Sequence, residues 1–436
     1  MIISQLTLTN FRRFSALSVD VHPELTVLVA PNGQGKTTVL DALSILISSF
    51  VGAFDMGKAH GFSATDARYS SQTQSPESEE QYPVRIEVDF QIPPVRAQSR
   101  ELTGPKNRTT SRDVAELVQH GKQMMAQVRR LEPVTLPAIA YYGTSRLWKQ
   151  HKLLERNKVL SASRSMGYED CLTSASSYLQ LQVWMKSATL AALQEQQMPE
   201  TYAGQAIGAQ IKAIQSTVEG VLKPLGWSHL HYSFSHDELA MHQADSAILP
   251  VSLLSDGVRA LVSLIADLAW RCVKLNPHLS MAAPAQTPGL VLIDEVDMHL
   301  HPAWQQQIIA TLRGAFPRIQ FIVTTHSPQV LTTVRRECIR LLGFRDRGIA
   351  VATEPKAFSY GEPSQDVLQA VMQVDPQPPV PEKALLEELT ELVDQGYFRS
   401  ERACELIEML KQRINPHHPQ IQKIERSIRR QEALQR

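Results

Sequence analysis

Residues Leu25 to Leu40, LTVLVAPNGQGKTTVL, constrain the fold more than any other stretch. A short apolar run breaks at Pro31-Asn32-Gly33-Gln34-Gly35-Lys36-Thr37-Thr38 and resumes with helical spacing, which reads strand, tight loop, helix. In such a turn successive backbone N–H groups point inward and meet a helix N-terminus, so an anion finds oriented donors and a favourable dipole together. This is the setting of a phosphate-binding P-loop. Asn32, Gly33, Gln34, Gly35 and Thr38 are therefore expected to cradle nucleotide phosphates, with Lys36 reaching the β- and γ-phosphates and Thr37 ligating Mg²⁺. The usual pattern begins with Gly, where this chain has Ala30. The extra methyl requires only that the turn avoid positive φ at that residue.

Pro288 to Glu295 is an apolar run ending in two carboxylates. Such a run suits a strand buried on both faces of a parallel sheet, and its C-terminal end is where α/β proteins bind ligands. Asp294 is placed to hold the Mg²⁺ shell, and Glu295 to orient or deprotonate an attacking water. Phe321 to Pro328 reads as another buried strand with a polar end, from which His326 can donate to a γ-phosphate oxygen. Between these features and the P-loop, Leu253-Leu254-Ser255-Asp256-Gly257-Val258-Arg259 opens a helix with Ser255 at its N-cap. His299 and His301 lack a nearby third ligand and suit a turn or an interface better than a metal pair.

The chain has 436 residues, 43% of them hydrophobic, enough for a large core and two or three lobes. Lys+Arg and Asp+Glu both number 44, so any nucleic-acid contact must use a local patch. Four widely spaced cysteines, without a CxxC pair, fit reduced thiols and no zinc framework. With no apolar run of bilayer length, the reading is a cytoplasmic protein without a membrane partner.

Residues 2 to 11 and Leu17, Val19 and Val21 alternate as two strands before the P-loop. Arg12 and Arg13 at their turn are either a solvated corner or a contact to the nucleotide. The helix after Lys36 should pack through Val39, Leu40, Leu43 and Ile47. Ser63 to Tyr82 reads as a mobile polar loop, and Arg96 to Arg112 as a second polar segment. Gln91, at a strand end, is a candidate sensor of metal and γ-phosphate. Ile139 to Tyr142 reads as a buried strand, with Gly143-Thr144-Ser145-Arg146 either facing the cleft or forming a plain turn. Residues 165 to 224 are mostly helical, with stripes at Leu179, Trp184, Met185 and Leu193 and at Ile207, Ile211, Ile214, Val218 and Val221, and a hairpin around Leu230, Tyr232 and Phe234 returns to the sheet.

P-loop, LSDG, apolar-DE and TTHSP in that order resemble the ABC-type ATPases, and TLTNFRRFSALSVDV resembles the N-terminal strands of their RecF/SMC branch. The resemblance implies ATP and Mg²⁺ as cofactors, approach of Arg12 to the nucleotide, and Ser255 and Gly257 acting across a subunit interface in a homodimer or higher homo-oligomer. LPAIAYYGTSRLW, SRSMGYEDCL, LIDEVDMHLHPAWQQ and FIVTTHSPQVL further resemble the PtuA ATPases of Septu and of some retron anti-phage systems. This implies an HNH nuclease partner of the PtuB kind and, in the retron version, a reverse transcriptase with its DNA–RNA product. The alternative is a RecF-like DNA-repair ATPase; a transporter ATPase fits less well, because its signature normally lies nearer the P-loop. No carboxylate cluster follows His326, so no nuclease site is expected in the chain.

The expected fold is an α/β ABC-type, RecF/SMC-like ATPase head. Its parts are an N-terminal ATPase lobe at 1–150, a helical insertion at 151–245, a C-terminal ATPase lobe at 246–356, and a linker with a helical docking region at 357–436. In that last region Leu385, Leu386, Leu389, Leu392 and Val393 form one stripe, Ala403, Leu406, Ile407 and Leu410 a second, and Ile421, Ile424 and Ile428 a third. An exposed stripe there is expected to contact another chain.

Overall fold

The computed structural model describes residues 1–71, 78–91, 96–144, 163–173, 179–198, 200, 207–243, 248–345 and 348–434. It divides into two compact units, Met1–Val367 and Leu368–Arg436.

The strands of the first unit are β1 (Ile3–Phe11), β2 (Phe14–Asp20), β3 (Leu25–Val29), β4 (Arg68–Ser71), β5 (Ser78–Gln81), β6 (Val84–Phe90), β7 (Gln98–Leu102), β8 (Ala138–Tyr142), β9 (Trp227–Ser233), β10 (Glu238–Gln243), β11 (Ile248–Pro250), β12 (Gly289–Ile293), β13 (Ile319–Thr324), β14 (Ile339–Arg345) and β15 (Ile349–Thr353). At its centre is a six-stranded sheet of order β15-β14-β3-β13-β12-β8, parallel except for the edge strand β15. The apolar runs of β3, β8 and β12 are buried at every residue, as a sheet covered on both faces requires. The register sets Ile293 beside both Val323 and Tyr142, so the ends of β8, β12 and β13 are level.

The two strands before the P-loop form with β6 and β7 a separate antiparallel sheet of order β2-β1-β6-β7. Gln320, buried in β13, ties the two sheets together: its amide donates to Ile3 O at 2.8 Å and His22 O at 2.9 Å and accepts from Ile3 N at 2.9 Å. The P-loop helix, Lys36–Val51, touches β6 of one sheet and β13 of the other. It is consequently buried around most of its girth, Ser44, Ser48 and Ser49 included, rather than through the single face that Val39, Leu40, Leu43 and Ile47 suggest.

The fold departs from the sequence reading at three places. Within the expected mobile loop of 63–82, Ser63 and Asp66 close a capping box, and β4 pairs with β5 as a hairpin. In the second polar segment β7 pairs with β6, and buried Arg100 donates to Ile45 O at 2.7 Å and to His60 O, its charge answered by carbonyls that its sequence neighbours do not reveal. The hairpin at Leu230 forms a small sheet of its own, β11-β10-β9, instead of extending the central one. Before it lie helices Leu179–Gln197 and Ile207–Leu222, which bury Trp184, Met185, Ile214 and Val218 but leave Leu193 exposed.

Among its described residues the second unit holds the helices Glu382–Asp394, Glu401–Arg413 and Pro419–Leu434. Gly396 takes φ +84° after the first, and the Ser400 hydroxyl caps the second by accepting from Ala403 N. Leu386, Leu389, Val393, Leu406, Leu410, Ile421 and Ile424 pack into one core. The apolar stripes are thus spent on one another, which corrects the expectation of an exposed one: the amphipathic period says that a face is covered, not by what.

Candidate functional site

The C-terminal ends of β3, β12 and β13 open into a cleft of about 510 Å³, lined by Arg12, Arg13, Asn32, Gly33, Gly35, Lys36, Thr37, Thr38, Asp294, Glu295 and His326. Residues from four separate stretches of sequence therefore face one space. Gln34, Ser255 and Gly257 do not line it, and neither does Gln91, which follows the antiparallel strand β6. Gly143 and Thr144 are described at the end of β8; Ser145 and Arg146 lie outside the described residues.

The loop owes its shape to Gly33 at φ +73° and Gly35 at φ +93°, with Gln34 N donating to Pro31 O. A Cβ on Gly35 would lie 2.4 Å from the Phe14 ring. Gly35→Ala is therefore expected to weaken ATP binding at least about tenfold, from the roughly 1–2 kcal/mol of left-handed strain plus the collision. Titration with a fluorescent ATP analogue checks this, and wild-type affinity would contradict it.

Lys36 Nζ donates to Ala30 O at 2.8 Å and Pro31 O at 3.4 Å, holding the cation inside the curl of its own loop. Burial lowers its pKa, against the pull of Asp294 and Glu295. Asp294 is the best-anchored carboxylate: Thr37 Oγ1 donates to Oδ2 at 2.8 Å, Thr324 Oγ1 donates to Oδ1 at 2.6 Å, and its own N–H donates to Tyr142 O. Glu295, at φ +48°, donates its N–H to Thr324 Oγ1 at 2.7 Å, so one threonine serves both acidic residues. A left-handed non-glycine residue at the mouth of a cleft is the kind of strain that aims a side chain. His326 is half-buried, and burial first, then Lys36, pushes its pKa down. That direction favours the neutral ring, which keeps one N–H to donate. Hydroxyl and carboxylate oxygens converge at Thr37 and Asp294, a hard-oxygen set that fits Mg²⁺.

Arg12 is more than a solvated corner. Its Nη1 lies 2.5 Å from Asp41 Oδ2 and its Nε 2.8 Å from Asp66 Oδ1, while Tyr141 donates to the other Asp41 oxygen at 2.8 Å. Sequence reading missed Asp41, Asp66, Tyr141, Thr324 and Asp297, the last of which accepts from Thr325 Oγ1. The signal available was weak: Asp41 interrupts an otherwise apolar helix, and Thr324 precedes His326 by two residues.

Helix Asp256–Leu275 begins at Ser255, which is exposed and whose hydroxyl makes no cap hydrogen bond. A Cβ on Gly257 would lie 2.5 Å from His299 O, so that close approach requires glycine. His301 accepts from Ala303 N as the cap of the short helix Pro302–Gln305, a turn role. Further along the long helix, Asp267 and Arg271 form a fully buried ion pair at 2.8 Å; Tyr142 donates to Asp267 at 2.7 Å, and Arg271 donates to Gly167 O.

Comparison with known proteins agrees with this geometry. A family model described as AAA domain matches residues 5–223, half of the chain. A second AAA-domain model, whose description refers to an AbiEii toxin and a type IV toxin–antitoxin system, matches residues 207–332. The chain is 27% identical to the "Retron Vc95 probable ATPase" of Vibrio cholerae serotype O1 biovar El Tor, over 90% of this chain and 84% of that protein. It is 42% identical to the "Retron Ec83 probable ATPase" of Escherichia coli over 38% of this chain and 30% of that protein. It is 40% identical to "Septu protein PtuA" of Bacillus mycoides (strain KBAB4) over 23% of this chain and 12% of that protein. Among solved structures, the SmcHead bound to the C-winged helix domain of ScpA aligns over 81% of this chain and 98% of that one, at a TM-score of 0.49 and 14% identity. Among the described residues no helix is long and apolar enough to cross a membrane. With half its length matched by the family model and a P-loop at the C-terminal edge of a parallel sheet, the chain belongs to the AAA-domain family of P-loop ATPases, for which ATP binding is implied.

Proposed function

We propose that this chain is the ATP-hydrolysing subunit of an anti-phage defence complex of the Septu or retron kind, controlling a partner HNH nuclease through nucleotide-dependent dimerisation. The observation that carries the ATPase reading is the single cleft in which Lys36, Thr37, Asp294, Glu295 and His326 meet. The defence reading rests on similarity to the retron ATPase of Vibrio cholerae along most of both chains. A retron setting adds a reverse transcriptase and its DNA–RNA product as partners. The RecF-like alternative rests on the N-terminal TLTNF motif and on short similarities to RecF proteins, each covering 10–15% of this chain.

Thr37 and Asp294 would hold Mg²⁺, which when bound supplies neutralisation of phosphate charge. Lys36 is freed from its loop carbonyls to meet the β- and γ-phosphates. Glu295 orients the attacking water and takes its proton, and neutral His326 donates to a γ-phosphate oxygen. Arg12 stands at the rim, held by Asp41 and Asp66. The helix start at Ser255, exposed and without a side-chain cap, is not among the chain's own cleft residues, and it is the part assigned here to the phosphate held by a second copy, with Gly257 allowing its close packing on His299.

Complementation tests the composite site. Ser255→Arg and Lys36→Ala should each lose MgATP turnover, and mixing the two should recover part of it, because one intact P-loop then meets one intact signature helix. Full turnover by Ser255→Arg alone removes the dimeric mechanism. Co-expression with an HNH nuclease of the PtuB kind should lower phage plating with wild type and not with Lys36→Ala; equal plating for both separates the defence role from the ATPase.

A further inference from the structure

Two short stretches of the first unit, Val334-Arg335-Arg336 and Lys356-Ala357-Phe358-Ser359-Tyr360, place cations and rings together on the surface. Arg335 and Arg336 follow the short helix Pro328–Leu331, and both are exposed. The chain returns beside them at Phe358 and Tyr360, whose side chains are exposed while Ser359 between them is buried. Ser359 clamps the return. Its hydroxyl donates to Val334 O at 2.6 Å, and Gly361 N donates to Thr332 O at 2.8 Å.

The clamp sets a cation over each ring. Arg336 Cζ lies 4.9 Å from the Phe358 ring centroid and Arg335 Cζ 5.6 Å from that of Tyr360, close enough for a guanidinium to be attracted to the ring face. Phe358 and Tyr360 nevertheless remain 68% and 61% exposed, so each ring keeps free area. Rings left in water contribute little to the fold. Of the acidic residues on the same stretches, Glu354 is turned to Arg340 at 3.5 Å, and Glu337 and Glu362 are exposed. Among the described residues neither Arg335 nor Arg336 forms an ion pair, and Lys356 adds a third exposed cation.

We propose that Phe358, Tyr360, Arg335 and Arg336 form a binding platform for a single-stranded polynucleotide, whose bases stack on the rings while its phosphates meet the arginines. Such a strand offers a face to stack at every base and a charge to neutralise at every phosphate, and the platform supplies a partner for each. A duplex keeps its base faces within its own stack and can use the cations alone. Base and phosphate are the parts that DNA and RNA share, so single strands of the two are bound alike. None of the four residues lines the cleft, so the platform is separate from the nucleotide site and independent of the defence reading.

The test uses the full chain, free of nucleic acid, and a fluorescein-labelled oligothymidylate read by anisotropy. Oligouridylate should bind within a few fold of it, and the thymidylate strand annealed to its complement at least about tenfold more weakly, since its bases are no longer free to stack. Phe358→Ala and Tyr360→Ala should each weaken binding about 5- to 150-fold, the usual effect of losing one stacked base. Phe358→Trp should bind as wild type and Phe358→Leu as poorly as Phe358→Ala, a contrast that a merely apolar surface would not give. Replacing Arg335 and Arg336 by Gln should flatten the dependence of log affinity on log salt by about 0.7 per arginine. Tyr397→Ala, which removes a ring as exposed as Tyr360, should change nothing. Unchanged affinity for a fluorescent ATP analogue checks that each variant remains folded. Absence of binding by wild type overturns the platform and leaves the patch to a protein partner; wild-type affinity in both Phe358→Ala and Tyr360→Ala, or duplex bound as tightly as single strand, overturns it equally.

Discussion

Glu295→Gln is expected to slow MgATP hydrolysis by about 10²- to 10⁴-fold, the usual yield of a positioned general base, while leaving ATP affinity within a few fold of wild type. The amide keeps the volume and the backbone of Glu295, whose N–H remains bonded to Thr324. Only the proton-accepting charge is lost. Lys36→Ala should show the opposite pattern, with affinity falling first, because the ammonium is the cation that the loop brings to the phosphates. Separate measurement of binding, by equilibrium titration, and of single-turnover hydrolysis distinguishes the two. Wild-type turnover by Glu295→Gln would remove that carboxylate from the chemistry, and wild-type affinity in Lys36→Ala would remove the lysine from phosphate binding.

Asp267→Ala is expected to cost the first unit about 3–5 kcal/mol, because it strands the guanidinium of Arg271 in a dry interior. Both side chains of this pair are nearly inaccessible, at 2% and 1% exposure. The loss extends beyond the pair, since the Tyr142 hydroxyl also surrenders its acceptor. Replacing both partners, as Asp267→Leu with Arg271→Met, should return much of the stability, since an apolar pair of similar volume carries no stranded charge. Denaturant midpoints of the single and double variants measure the difference; a midpoint in Asp267→Ala equal to wild type would contradict it. A weaker effect on the cleft should follow, because Tyr142 also accepts the N–H of Asp294 through its carbonyl.

Most of the cleft was legible in sequence because its chemistry is concentrated at strand ends. Asn32 to Thr38, Asp294, Glu295 and His326 each follow an apolar run, and parallel strands in register bring such ends level without further information. What escaped notice was support from residues remote in sequence. Asp66 sits in a segment rich in serine and glutamine, and only the fold reveals that it faces Arg12. Arg100 reads as surface, yet the carbonyls of Ile45 and His60 accept from it in the interior. The C-terminal stripes were visible, but a stripe does not name its partner, and three helices supplied one another's.

The position of the P-loop strand has a consequence for synthesis. β3 is the third described strand, but its sheet neighbours among the described residues are β13 and β14, near the far end of the first unit. Gln320 closes the antiparallel sheet onto the central one across a separation of 317 residues. On the ribosome the nucleotide loop therefore leaves the exit tunnel long before anything can hold its strand, and such distant pairing is slow to form. A chain stopped short of β13 carries the whole phosphate-binding motif but lacks the strands that flank it in the sheet, so nascent fragments are expected to stay silent toward ATP until β13 and β14 are made.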